Sequence, residues 1–468
     1  MTPDDRESGM IAMRNRRALA FEARSAGRTA LPFSARRPLT FVLLVPLLAL
    51  SACAAAPGAD PAATGAVRAE GVSMRDTDLD ETDAVEDVVA ATSAIGLAAL
   101  SAGAEDGNVV VSPASLATAL AMLSDGARAK SLQQLEDALG ASGEDRRDAF
   151  AALQRSVLEL DGDPAEATAE ELPERPILHL ANNVVVHEGF EVHESYLDAL
   201  ADGFDAGVQQ ADLTSDAGKA VLDEWVEHHT GGLIEQSAIQ PHPFLRVVLQ
   251  DAILLAARWQ TPFSSTLTRD QAFTLADGSM IQVETMGSDE APFAYAELDG
   301  GWVGVRLPYQ EGAHADLLLP PAGTDPSEAS PELLAQATRA LGAADPIVLD
   351  LTLPTLDISG DEPLDLIDSG LIADLGIDST LCSSGEADLS GIALEPGDLC
   401  LEQAAQQAVL RVDEEGTVAA AVTELGVHME SAPATEASVH FDRPFLFTIG
   451  HAESEWPLFY AAIRDPRH

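Results

Sequence analysis

Lysine is almost missing from this chain: Lys130 and Lys219 are the only two in 468 residues. Arginine does not make up the difference. Lys and Arg together number 26 against 77 Asp and Glu, which gives a formal charge of −51 and a pI near 4.2. Such a surface repels nucleic acid and anionic polysaccharide, whose binding needs clustered cations, so neither is expected as a partner. The acidity serves solubility instead. Recognisable catalytic patterns are also lacking: no GxSxG elbow, no HExxH and no glycine-rich phosphate loop occurs. His187 and His193 are six apart and do not share a helical face, and the adjacent His228 and His229 diverge. All four are expected at the surface, with no metal and no cofactor. Carboxylates are so abundant that any acid/base pair could be assembled by chance, so no catalytic residue is assigned and no enzyme is expected. Apolar residues, at 46%, are not lacking; the chain can bury a sizeable core, which excludes global disorder.

Cysteine is scarce, with three in the chain, and the positions matter. Arg36 and Arg37 precede "PLTFVLLVPLLALSAC", an apolar run too short to span a bilayer comfortably. Its end, Leu50-Ser51-Ala52-Cys53, resembles the lipobox of bacterial lipoproteins. That resemblance implies an export signal over residues 1–53, with Met13 as another candidate start. Lipidation of Cys53 would then anchor the chain to the outer face of the plasma membrane; an ordinary signal peptide would leave it extracellular. Export leaves Cys382 and Cys400 as an even pair in an oxidising compartment, either bridged or as two buried thiols. Residues 54–85 are Ala, Gly, Asp and Thr with few large apolar side chains and read as a flexible tether. The acids of "DTDLDETDAVED" are spaced like a calcium loop from Asp76, but Glu81 stands where Gly is needed and Asp83 where an apolar residue is needed.

From residue 86 to 468 the sequence is globular. "VVAATSAIGLAALSA" has helical periodicity, and "SLATALAMLSDGARAKSLQQLEDALG" predicts two helices broken near Gly126. "ILHLANNVVVHEG" and "VVLQDAILLAARW" read as strands. Helices first and mostly strands afterwards predict one α+β domain with no repeat.

The order of short motifs is more specific. "NVVVSPASLATALAMLSDGARAKSLQQLEDALG" is followed by "WVEHHTGGLI", "AARWQTPF", "RLPYQ", "LPTLDI", "LIADLGI" and "EADLSGI". "VDEEGTVAAAVT", "DRPFLF" and "PLFYAAIRDP" close the series. Together, from about residue 88 to the end, they resemble the serpins. The resemblance implies three β-sheets, about nine helices and an exposed reactive-centre loop. It also implies a monomer that traps serine proteases, or cysteine proteases, through loop cleavage, acyl-enzyme formation and loop insertion into sheet A. Some members do not inhibit and act as binding or chaperone modules.

An inserting strand must satisfy three physical demands, and the loop can be checked against each. Side chains alternate faces at period two. Thr417, Ala419, Ala421 and Thr423 fall on the face that the family turns inward; Val418, Ala420, Val422 and Glu424 fall on the other. The inward face carries no charge, which would cost several kcal/mol if buried unpaired. The leading residues are small, and Gly416 before them allows a bend. No proline interrupts residues 415–432, so every amide can join a ladder. The alternative is a helical turn at the surface, since alanine favours helix.

Family spacing, counted from Glu414 and continuing through Glu415, places the cut bond at Glu430–Ser431. This implies a glutamate-preferring protease. A one-residue shift would present Met429 to an elastase-like or subtilisin-like pocket. By the same resemblance, Trp259 marks the top of sheet A, while Ser112 and Ser115 lie beneath its opening. Asp251 and Gln406 stand where the family usually has Asn and His. Gln406 can still donate and accept; Asp251, if ionised, can only accept.

Overall fold

The computed structural model describes residues 72–103, 107–169, 172–288, 291–359, 363–417 and 435–467. Helices lead: α1 (Val85–Ala102), α2 (Pro113–Gly126), α3 (Ala129–Leu139), α4 (Gly143–Val157) and the short α5 (Pro164–Ala167). They are followed by α6 (Glu194–Phe204), α7 (Asp216–His229), α8 (Pro331–Ala343) and the short α9 (Leu371–Asp374). The expected break near Gly126 falls between α2 and α3. A Cβ on Gly126 would stand 2.2 Å from a side-chain carbon of Ile392, so close packing fixes that residue as glycine. Helix α2 is buried along almost its whole length, which explains its run of Ala, Ser, Thr and Leu. Its start is set by Pro113 at the first position and by Ser112, whose Oγ accepts the Ser115 amide at 3.3 Å.

Two large sheets carry the strands. The six-stranded sheet runs β11 (Leu356–Ser359), β14 (Val409–Val412), β15 (Gly416–Thr417), β4 (Val247–Arg258), β2 (Ile177–His187), β3 (Gly207–Ala211). The other contains β1 (Val109–Val111), β18 (Pro457–Ile463), β17 (Phe445–His451), β9 (Ala313–Leu319), β8 (Val303–Pro308) and β7 (Pro292–Glu297). It continues into β10 (Ile347–Pro354), β6 (Met280–Gly287) and β5 (Arg269–Thr274), with β16 (Ala437–His440) on β10. The two halves meet only where Ile347 and Val348 pair with Phe293 and Pro292, so this sheet is two smaller sheets sharing one short ladder. With the six-stranded sheet they make the expected three; β12 (Leu364–Asp365) and β13 (Ala405–Gln406) add a small ribbon. The α+β class and the serpin fold expected from the sequence are what the chain adopts.

In the six-stranded sheet, alternate residues face opposite ways. Ile253, Leu255 and Ala257 of β4 enter the main core, whereas Leu254 and Ala256 pack outward on Leu172 and Ile177, and Val248 on Leu222 of α7. Helix α7 therefore covers the outer face. His229 at its end is buried, contrary to the surface position expected. It is bonded to His179 at 2.9 Å and packs on Trp225, because α7 turns that side of its last turn onto the sheet.

Cys382 and Cys400 are bridged, with their Cα atoms 4.8 Å apart. Residues 72–84, read above as the end of the tether, lie along the domain. Arg75 bonds Asp202 at 2.9 Å and Asp148 at 2.6 Å, and Arg155 meets Asp76 at 2.6 Å. The acids that resembled a calcium loop are thus engaged by arginine, and among the described residues no cluster fit for a metal occurs.

Candidate functional site

The site grows from β4. Along one edge it pairs with β2 from Val247 to Ala256. Along the other edge, among the described residues, only its last two members are paired: Arg258 with Gly416 and Ala257 with Thr417. Thr417 is in turn paired with Val412 of β14. The remaining length of β4 is separated from the strand line 405–412 by a cavity of about 600 Å³. Leu249, Asp251 and Ile253 line one side, and Gln406, Ala408 and Leu410 the other. The sheet thus has a slot where one more strand would fit, and β15 already occupies its head.

Several contacts seat that head. The Trp259 amide donates to Glu415 O at 2.7 Å and the Phe263 amide to Glu414 O at 2.9 Å. Trp259 Nε1 donates to Asp413 O at 3.0 Å, and the indole stacks on Tyr309 with centroids 4.4 Å apart. Asp413 Oδ1 accepts the amides of Glu415 and Gly416 at 2.9 and 3.1 Å, closing the turn into β15. Burial nevertheless raises its pKa, the two amides only partly offsetting it. Glu415 is held by Arg258 at 2.8 Å and Glu414 by Thr268 at 2.5 Å. Thr417, only 2% exposed, turns inward and shares a hydrogen bond with the Tyr309 hydroxyl. The inward direction implied for this residue is therefore observed.

Gly416 is there for space. A Cβ at this position would lie 2.1 Å from Ala257 O and 2.8 Å from a Leu172 methyl. Gly416→Val is expected to expel β15 from the sheet. The Thr417 amide should then lose its protection in hydrogen exchange; protection equal to wild type would mean that neighbouring strands can part to admit a side chain.

At the floor of the slot, the side chain of Gln406 is bonded twice to the backbone of Ser112: Nε2 to Ser112 O at 2.8 Å, and Oε1 from the Ser112 amide at 3.2 Å. This ties β13 to the start of α2. Asp251 differs. Both its carboxyl oxygens are shielded from solvent and accept no hydrogen bond. Burial pushes its pKa up to about 8; the Ser115 hydroxyl approaches and partly offsets this without reaching hydrogen-bonding distance. At pH 7 the group is therefore neutral and can donate, which an ionised aspartate cannot.

Trp259, Ser112, Ser115, Asp251, Gln406 and residues 414–417 are thus gathered around one slot. Val418, Ala419, Ala420, Ala421, Val422 and Thr423, and the bond candidates Met429, Glu430 and Ser431, lie outside the described residues, as does Cys53. Sequence reasoning missed Arg258, Thr268 and Tyr309, the side chains that seat the hinge. The only signal was their place in or beside "AARWQTPF" and "RLPYQ".

The family model for serpins, the serine protease inhibitors, matches residues 92–466. A serine protease inhibitor of Cyanea capillata is 31% identical over 374 residues, covering 78% of this chain and 93% of that protein. Alpha-1-antitrypsin 1-5 of Mus musculus is 30% identical over 375 residues, covering 77% and 84%. The native crystal structure of tengpin, a thermophilic serpin, matches the fold with a TM-score of 0.71 at 22% identity, covering 86% of this chain and all of that one.

Proposed function

The chain belongs to the serpin family, and from that premise we propose that it is an irreversible suicide-substrate inhibitor of serine endopeptidases, with cysteine endopeptidases as a second target class. The observation that carries this reading is the unfilled slot beside β4 with β15 seated at its head. A protease that cleaves the loop forms an acyl-enzyme on one end of it. The freed end is then continuous with β15 and can extend it down the slot. Each added residue brings backbone bonds worth about 1 kcal/mol net, so a strand of a dozen residues supplies on the order of 10 kcal/mol. That is enough to carry the bound protease to the far end of the sheet and distort its active site. The chain supplies a substrate and a spring, and no catalytic group of its own.

The bond cut is Glu430–Ser431, which selects a glutamate-preferring endopeptidase; cleavage after Met429 would select an elastase-like or subtilisin-like one. The lipobox-like "LSAC" ending at Cys53 supports export and a lipid anchor on the outer face of the plasma membrane, where the inhibitor would shield envelope proteins.

Mixing the protein with a glutamate-specific serine protease should give an SDS-stable complex at the summed mass, together with a C-terminal fragment beginning at Ser431. Cleavage without a complex would make the chain a substrate and favour the binding or chaperone role known among serpins. A complex with the fragment starting at Glu430 would move the bond to Met429.

A further inference from the structure

We propose that Asp251, with Asn182 and Gln406 beside it, is a polar receptor in the floor of the slot for the hydroxyl of Thr423, and that filling this receptor helps to drive loop insertion. The proposal rests on the insertion reading above and deepens it.

The register of β15 carries the argument. Gly416 pairs with Arg258 and Thr417 with Ala257, antiparallel, so a strand continuing in register places Thr423, six residues on, opposite Asp251. On the other edge Thr417 pairs with Val412, also antiparallel, and the same six residues bring Thr423 opposite Gln406. Two independent ladders thus converge on one position. Residues directly opposite in an antiparallel pair point to the same face. Thr423 shares the face of Thr417, which turns inward onto Tyr309.

The receptor is incomplete without this occupant. Asp251 is the direct partner of Asn182 across β2 and β4. The Asn182 amide donates to Gln154 and to Phe204 O at 2.8 and 2.9 Å, while its own Oδ1 is buried and accepts nothing. Neither oxygen of Asp251 has a partner. Buried orphan acceptors of this kind are costly, and a hydroxyl brought between β4 and β13 meets one of them directly. Gln406 is committed to Ser112 on both sides and holds the opposite wall in place.

The chemistry also fixes a sign with pH. The groups facing Asp251 are Asn182 from β2, Ser112 and Ser115 from α2, and Gln406 from β13; no charged side chain contributes to its shift. Its pKa, pushed up to about 8 by burial, lies above the ordinary carboxylate value, so the uninserted form holds a proton at neutral pH. A threonine hydroxyl stabilises the carboxylate, so the inserted form releases that proton more readily. Insertion is then favoured as pH rises through about 8.

The test compares intact and loop-cleaved protein by the guanidinium chloride midpoint at pH 6 and pH 9, for wild type, Thr423→Val, Thr423→Ser and Asp251→Asn. Cleavage should raise the wild-type midpoint at both pH values, and more at pH 9. Thr423→Val should forfeit about 0.4 M of that gain at pH 9 and less at pH 6, as expected for one hydrogen bond to a charged group. Thr423→Ser should restore it, and Asp251→Asn should abolish the pH dependence. If Thr423→Val gains as much as wild type at both pH values, the receptor is refuted while insertion stands. If wild type gains nothing on cleavage, insertion itself fails.

Discussion

Thr417→Arg is expected to convert the inhibitor into a substrate. Titrated against its protease, the variant should be cleaved at the same bond, yet the number of inhibitor molecules consumed per protease inactivated should rise at least ~10-fold, and the SDS-stable complex should fade. The reason lies in a race. After acylation the protease is trapped only if the loop enters the slot before water hydrolyses the ester. Entry begins at Thr417, which is already in the ladder with Ala257 and Val412, faces inward and is buried beneath Tyr309. A guanidinium there finds no carboxylate among the neighbours that seat β15. Asp413 is held by the amides of Glu415 and Gly416, and Glu415 by Arg258. Burying the charge unpaired costs several kcal/mol, and every 1.4 kcal/mol added to the barrier slows entry about tenfold. Hydrolysis then wins. Thr417→Ser keeps the hydroxyl and should inhibit nearly as wild type. An arginine variant with unchanged stoichiometry would show that insertion does not start at this residue.

Much of this was legible in the sequence, for reasons that can be traced. The helices and the long strands β2 and β4 follow from apolar periodicity, which is a local property. The hinge was legible because an inserting strand imposes local demands: small side chains, no proline, and no charge on alternate residues. What escaped is what depends on distance along the chain. Arg258, Thr268 and Tyr309 meet residues 413–417 across gaps of more than a hundred positions, and nothing in their own neighbourhoods announces it. Asp251 was legible as a departure from the family pattern, but its protonation is a property of burial, which emerges only with packing. His229 was misplaced for the same reason: adjacency to His228 argued for divergence, and it could not say which of the two faces the sheet. The charges of "SDGARAK" and "EDRRD" likewise read as a solvated surface, and several of them are not.

That last point carries the second large effect, a stability loss from Asp125→Ala. The Asp125 side chain has no solvent exposure and that of Arg146 only 2%. Asp125 Oδ1 accepts from Arg146 at 2.5 Å and from Arg147 Nε at 2.8 Å, while Arg146 also reaches Glu136 at 2.9 Å. This network ties the end of α2 to α3 and α4. Removing its central carboxylate leaves Arg146 buried with a single partner, and breaking a buried pair in this way costs about 3–5 kcal/mol. The melting temperature should fall by roughly 5–10 °C. Lys130→Ala, which breaks an exposed pair with Glu386, should melt with wild type. The consequence for function follows from the other end of the same helix, where Ser112 and Ser115 form the floor of the slot. A loosened α2 should let the slot open before any protease arrives. Intact Asp125→Ala should therefore lose inhibitory titre at 37 °C several-fold faster than wild type, without being cleaved. If it melts early but holds its titre, the network serves the fold alone, and the slot is kept closed by β13 through Gln406.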